Sequence, residues 1–295
     1  MAMMILWRTW ILLLCLVAIN AQAATLKIAI TQENLNGYQK IVGSSSCNDI
    51  HDFSIFKENP GIAYPVLVCK FLARHDTAYL TEFVVVPNYR RGLWVAAQGL
   101  VDMIAVPFTI NEYTQPLITS GAVKVTHPII LKGQQSAGFY ALKSNAKVHQ
   151  VTSVKELKQL IPVIPSSWRY IAKILEDDFD ATVQYVNVNR VFEFLKSGRA
   201  DYTILPLQGD PESGYEVIRK GIKVKPIGRF KVVLNRESYF VFSGDPKSLD
   251  DFYIAVQQGI IGMRQNDRLS KILRQANLIS SPPKEWQSVY SLPKR

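Results

Sequence analysis

Apolar positions along this chain fall into short runs broken by turn residues, and the runs alternate between two periods. LKIAI at 26–30 is a continuous apolar stretch, the kind buried on both faces of a parallel sheet. Positions 31–60, which include GSSSCNDIHDFSIFKENPG, hold no sustained period and read as irregular. Helical spacing starts behind Pro60-Gly61 and runs over 62–74. TEFVVVP at 81–87 is β-branched and predicts a strand. YRRGLWVAAQG predicts a helix that ends at Gly99, and VDMIAVP a strand behind it. Strand, helix, strand, helix, strand predicts a parallel sheet with helices on its faces.

Two further strands, HPIILK and SAGFYALK, are split by the polar turn GQQ. The alternation then restarts. SVKELKQL is a Ser-capped helix, PVIP a strand, and SSWRYIAKILEDD a helix with Ser166 and Ser167 at its start. TVQYV is a strand, NRVFEFLKSG a helix capped by Asn189 and stopped by Gly198, and DYTILP a strand. ESYFVFSG at 237–244 repeats the aromatic alternation of SAGFYALK, and two helices follow it, the first capped by Ser248.

One phrase occurs twice. GLVDMIAVP at 99–107 and GRADYTILP at 198–206 both read Gly, two residues, Asp, four residues, Pro. Each follows a helix. The glycine permits the left-handed turn that ends the helix, and the proline stops ladder pairing where the strand leaves the sheet. The recurrence predicts an α/β chain of two Rossmann-like lobes with a similar plan. Residues 24–135 and 237–295 make the first lobe and 136–236 the second, joined by a two-stranded hinge.

The ends and the charge restrict where such a chain works. ILLLCLVAI at 11–19, followed by NAQAA, reads as a secretory signal peptide over 1–23, cut after Ala23. Its apolar run falls short of the ~20 residues a spanning helix needs. Cys15 follows Leu14, which is too large for a lipoprotein cleavage site. The expected location is therefore the periplasm. Net charge is +10, but the basic residues are scattered, so no nucleic-acid partner is expected. Past the leader only Cys47 and Cys69 remain. In an oxidising compartment they most simply form one disulfide, the alternative being two buried thiols.

LKIAI, GLVDMIAVPFTI, SVKELK, PVIPSS, FLKSGRADYTILP and DDFYIAVQQGIIGMRQNDRLSKIL, in that order, resemble the family-3 periplasmic solute-binding proteins. That group is best known as amino-acid receptors of ABC transporters, with the periplasmic binding protein-like II fold. The resemblance implies a small-molecule ligand between the lobes, no cofactor, a monomer, and a membrane permease or a sensor kinase or cyclase as partner. Ligands of such folds sit outside the carboxyl ends of the strands. Candidate contacts are then Phe108 and Thr109 from the first lobe, and Ser166, Ser167, Trp168, Arg169 and Gln208 from the second. The group's amino-acid clamp is missing: TINEYTQPLI at 109–118 has no Lys or Arg, and DYTILPLQ has no acid after its strand. Desolvating a zwitterion without paired charges is costly, so the expected ligand is a small polar or anionic solute rather than a plain α-amino acid.

Catalysis is not expected. The four histidines lack metal spacing, GSSS at 43–46 is no nucleophile elbow, and no phosphate loop or dinucleotide fingerprint occurs. The rival readings are a module that binds no ligand and works through a partner, and a dehydratase-type enzyme on the same scaffold.

Overall fold

A computed structural model describes residues 24–43, 46–74, 79–166, 168–207, 214–219, 221–244, 250–280, 282 and 284–289. The expected leader at 1–23, the site candidates Ser167 and Gln208, and the expected cap Ser248 lie outside the described residues.

The first sheet opens with β1 (Ala24–Ile30). It continues through α1 (Gln32–Val42), α2 (Ala63–Leu72), β2 (Tyr79–Val85), α3 (Tyr89–Ala97), β3 (Met103–Ile104), α4 (Gln115–Thr119) and β4 (Val123–Ile130). The second begins at β5 (Gln135–Leu142). It holds α5 (Val154–Leu157), β6 (Val163–Pro165), α6 (Arg169–Phe179), β7 (Gln184–Val186), α7 (Val191–Lys196), β8 (Thr203–Pro206), β9 (Val217–Arg219) and β10 (Ile222–Leu234). The chain returns as β11 (Ser238–Ser243), then α8 (Asp250–Gln265) and α9 (Arg268–Gln275), and ends with β12 (Gln287–Ser288).

Strand order in the first sheet is β2-β1-β3-β11-β4, with β1 parallel to both β2 and β3 and the returning β11 antiparallel between β3 and β4. In the second it is β12-β10-β5-β8, with β9 beside β10. β6 and β7 form a parallel pair that meets β8 through a Pro162–Tyr202 bridge. Each sheet has its own core. Phe240, Phe242 and Phe252 are buried in the first, and Phe139, Tyr202 and Phe230 in the second.

The repeated phrase folds the same way twice. Gly99 and Gly198 both take left-handed φ, 70° and 68°. Asp102 accepts the Lys27 backbone N–H at 2.7 Å, while its own N–H donates to the Lys27 carbonyl at 2.8 Å. Asp201 does the same with Ile161, at 2.8 Å each way. Each aspartate thus fastens the start of its strand to the strand alongside.

The disulfide is present: Cys47 and Cys69 are bonded, with 6.2 Å between their Cα atoms, and tie the stretch after α1 to α2. Several expectations need correction. Positions 31–60 are not wholly irregular, because 32–42 form α1, whose apolar side, Leu35, Tyr38, Ile41 and Val42, lies on the first core. Asn34, Asn36 and Gly37 lower its helix propensity and hide the pattern. The 189–198 helix is preceded by a 3-10 turn capped by Asn187, whose side chain accepts from the Asn189 N–H, so Asn189 is not the cap. Residues 237–295 do not all stay on the first lobe: β12 pairs with β10, and Trp286 and Val289 pack on the second lobe's clusters.

Candidate functional site

A cavity of about 700 Å³ opens between the two sheets. From the first lobe it takes Thr109 to Tyr113, the segment after β3. From the second it takes Trp168 and Arg169 at the start of α6, and Leu205 and Pro206 at the end of β8. Arg236, in the second crossing between lobes, also lines it. These are strand exits and a helix start, the places where backbone and side chains face the gap.

The 109–114 loop is shaped by its own polar side chains. Asn111 Oδ1 accepts the N–H groups of Tyr113 and Thr114 at 2.9 and 3.1 Å. Buried Thr114 accepts the Asn111 N–H at 2.8 Å and donates to the Thr109 carbonyl at 3.1 Å. The Arg90 guanidinium sits 4.9 Å from the centre of the Tyr113 ring, holding that aromatic at the rim.

On the opposite wall, α6 starts one residue later than its serines suggest. Trp168 occupies the cap position with no side-chain cap bond, and Arg169 is the first helical residue. Ser166 lies before the helix rather than at its start: its N–H bonds the Val186 carbonyl at 2.9 Å, it lies exposed in the turn, and it does not line the cavity. No acid stands in the first turn of α6. A cation at the positive end of a helix costs about 0.3–1 kcal/mol, so Arg169 is placed against the local field. Its guanidinium lies 5.4 Å from the Tyr185 ring centre, and the Tyr185 hydroxyl donates to Glu176, which faces the same cavity. Burial, then that bond to Glu176, pushes the Tyr185 phenol up, while Arg169 pulls it down. Lys173 pairs with Asp177 at 2.7 Å, which raises its ammonium pKa and takes up its charge.

Of the sequence-derived contacts, the cavity brings together Thr109, Trp168 and Arg169. Phe108 does not line it: its backbone exchanges two hydrogen bonds with Tyr239, 2.7 and 2.8 Å, and its ring packs beside the first lobe's smaller core. Sequence reasoning missed Arg236, Glu112 and Glu176. The lobe boundary at 236/237 was the sequence signal that could have drawn Arg236 out. A second concavity of about 520 Å³ lies at the ends of β1 and β2, where Asn34 donates to the Tyr89 hydroxyl.

Among the described residues no His, Cys, Asp and Glu group is placed to hold a metal ion, and no helix is long and apolar enough to cross a membrane. No protein-family model matches the sequence, and no curated protein matches it. Solved structures do. A probable amino-acid ABC transporter extracellular-binding protein, YtmK of Bacillus subtilis, is 15% identical with a TM-score of 0.57, over 85% of this chain and 97% of its own. The periplasmic VFT2 domain of Bordetella pertussis BvgS is 13% identical at 0.52, over 86% and 93%. Substrate-binding domain 2 of Lactococcus lactis GlnP, in its open conformation, is 12% identical at 0.51, over 88% and 98%. With the sheet order and the cleft described above, the likeness establishes the architecture: this chain has the two-lobed, type II periplasmic binding protein fold.

Proposed function

We propose that the chain is an exported, non-catalytic binding protein that captures a small polar or anionic solute in the interlobe cleft and presents it to a membrane permease or a membrane sensor. The observation that carries this reading is Arg169, a guanidinium at the amino end of α6 with no acid in the first turn, aimed into a cavity walled by both lobes. An anion there gains the helix field and a forked, charge-assisted pair. Trp168, Ile171, Ile204 and Leu234 offer an apolar bed for the rest of the solute.

The test separates folding from binding. Arg169 is exposed, so Arg169→Ala is expected to leave the melting temperature of the ligand-free protein nearly unchanged. It should abolish the thermal shift produced by whichever compound of an anion-rich library stabilises the unaltered protein. Loss of a ligand-paired cation in a closing cleft costs roughly 2–5 kcal/mol of affinity, enough to erase such a shift. A shift that survives the substitution makes Arg169 a surface residue and the reading wrong.

A further inference from the structure

A third cavity, of about 610 Å³, lies on the first lobe, away from the cleft. It is walled by the α8–α9 turn, by α9, and by His51 and Phe53 from the stretch that the disulfide ties down. Lys70, Arg268, Lys271 and Arg274 all line it. None of the four forms an ion pair with any described residue. One acid, Asp267, is among the lining residues, and Asp49 acts on Lys70 from nearby.

Lys70 separates this cluster from a solvated basic face. It is only 4% exposed, yet it lines the cavity. Its ammonium donates to the Asn48 carbonyl at 3.1 Å, which uses one of its three N–H groups. Burial, then Arg268, then Arg74 push its pKa down, and Asp49 opposes them only weakly. Holding an ammonium out of water beside two guanidiniums is costly without a counter-charge. Asn48 and Lys70 are the chain neighbours of Cys47 and Cys69, so the disulfide and the Lys70 bond clamp the same two segments together.

We propose that this cavity is a separate binding site for a phosphate-type oxyanion carrying more than one negative charge, held by Lys70, Arg268 and Lys271. The site is independent of the cleft and of what the cleft binds. The same chemistry is offered by a free phosphate ester or pyrophosphate and by the headgroup of an anionic phospholipid.

The test uses the chain from residue 24 with its disulfide intact and inorganic pyrophosphate as probe, titrated calorimetrically at low ionic strength. One saturable site is expected, weakening as salt is added. The double variant Arg268→Ala, Lys271→Ala alters exposed residues and should weaken binding about ten- to hundredfold. Arg169→Ala, in the cleft, should leave it unchanged. In parallel, vesicles of phosphatidylcholine alone and with phosphatidylglycerol added are sedimented with the protein. Pyrophosphate binding without vesicle binding assigns the site to a free anion. Co-sedimentation with the anionic vesicles that the double variant loses assigns it to a headgroup. No saturable heat and no vesicle binding overturns the proposal. So does pyrophosphate binding that the double variant keeps, or that Arg169→Ala removes.

Discussion

Asp102 and Asp201 occupy equivalent positions, but their surroundings set different costs. Each accepts a backbone N–H from the segment alongside, Lys27 within β1 and Ile161 just before β6. Removing such a charge-assisted bond costs about 1–2 kcal/mol, so Asp201→Ala should lower urea-unfolding stability by that amount. Asp102→Ala should lose less at neutral pH, because burial already works against its charge and pushes its carboxyl above the ordinary 3.8, outweighing the bond from Lys27. With the folded pKa raised, the folded chain keeps this proton to higher pH than the unfolded chain. The contribution of Asp102 is therefore most favourable below 3.8 and declines as pH climbs through the raised value. Stability measured against pH should show a flatter decline there in Asp102→Asn. Equal slopes, or unchanged stability in Asp201→Ala, would contradict this account. The repeated phrase was legible in sequence because its glycine and proline act on their own backbone neighbourhood; the partners of its aspartates, Lys27 and Ile161, lie far off in the chain and were not. Arg236 and Glu112 were not, because a side chain's entry into a cleft depends on which segments a distant hinge brings together.

At the scale of elements, α2 and α8 pack with little room, and two glycines of α8 show it with opposite signs. A Cβ on Gly259 would lie 2.5–2.6 Å from Phe71, including the Phe71 Cβ, which cannot swing away. A Cβ on Gly262 would meet nothing within 4 Å. Gly259→Ala should therefore cost about 1–3 kcal/mol by overpacking. Gly262→Ala should add about 0.5–1 kcal/mol, since an open helical glycine only forfeits propensity. Thermal unfolding of the two variants checks the pair; the same sign in both would mean that α8 does not lie against Phe71. The helix that periodicity missed, α1, makes a similar close approach, with Gly37 against Ile62. Elements with a strong local signal, such as α3 behind Asn88 or α5 with its Ser153–Glu156 capping box, were readable. Elements that rely on a tertiary partner, such as α1 and the two-residue β12, were not.

For the whole molecule, the separate cores leave the lobes joined by covalent crossings rather than by shared apolar burial. Two crossings, at 131–134 and 235–237, join β4 to β5 and β10 to β11. The third runs from α9 on the first lobe to β12 on the second, where Trp286 meets Tyr215 edge-on at 5.5 Å. Two adjacent strands make an axle; the third segment leaves beside it, where Ser280 bonds the Ser136 backbone, and its anchorage on β10 limits how far the axle turns. Ending the chain at residue 280 should therefore widen the spread of interlobe distances, read by fluorescence energy transfer between one dye on each lobe, with little change in the unfolding of either core. An unchanged distribution would make the tail a passenger. If the spread does widen, the 284–289 segment sets the opening angle: whatever pulls it off β10, a protease or a neighbouring protein, would also set how long the cleft stays shut.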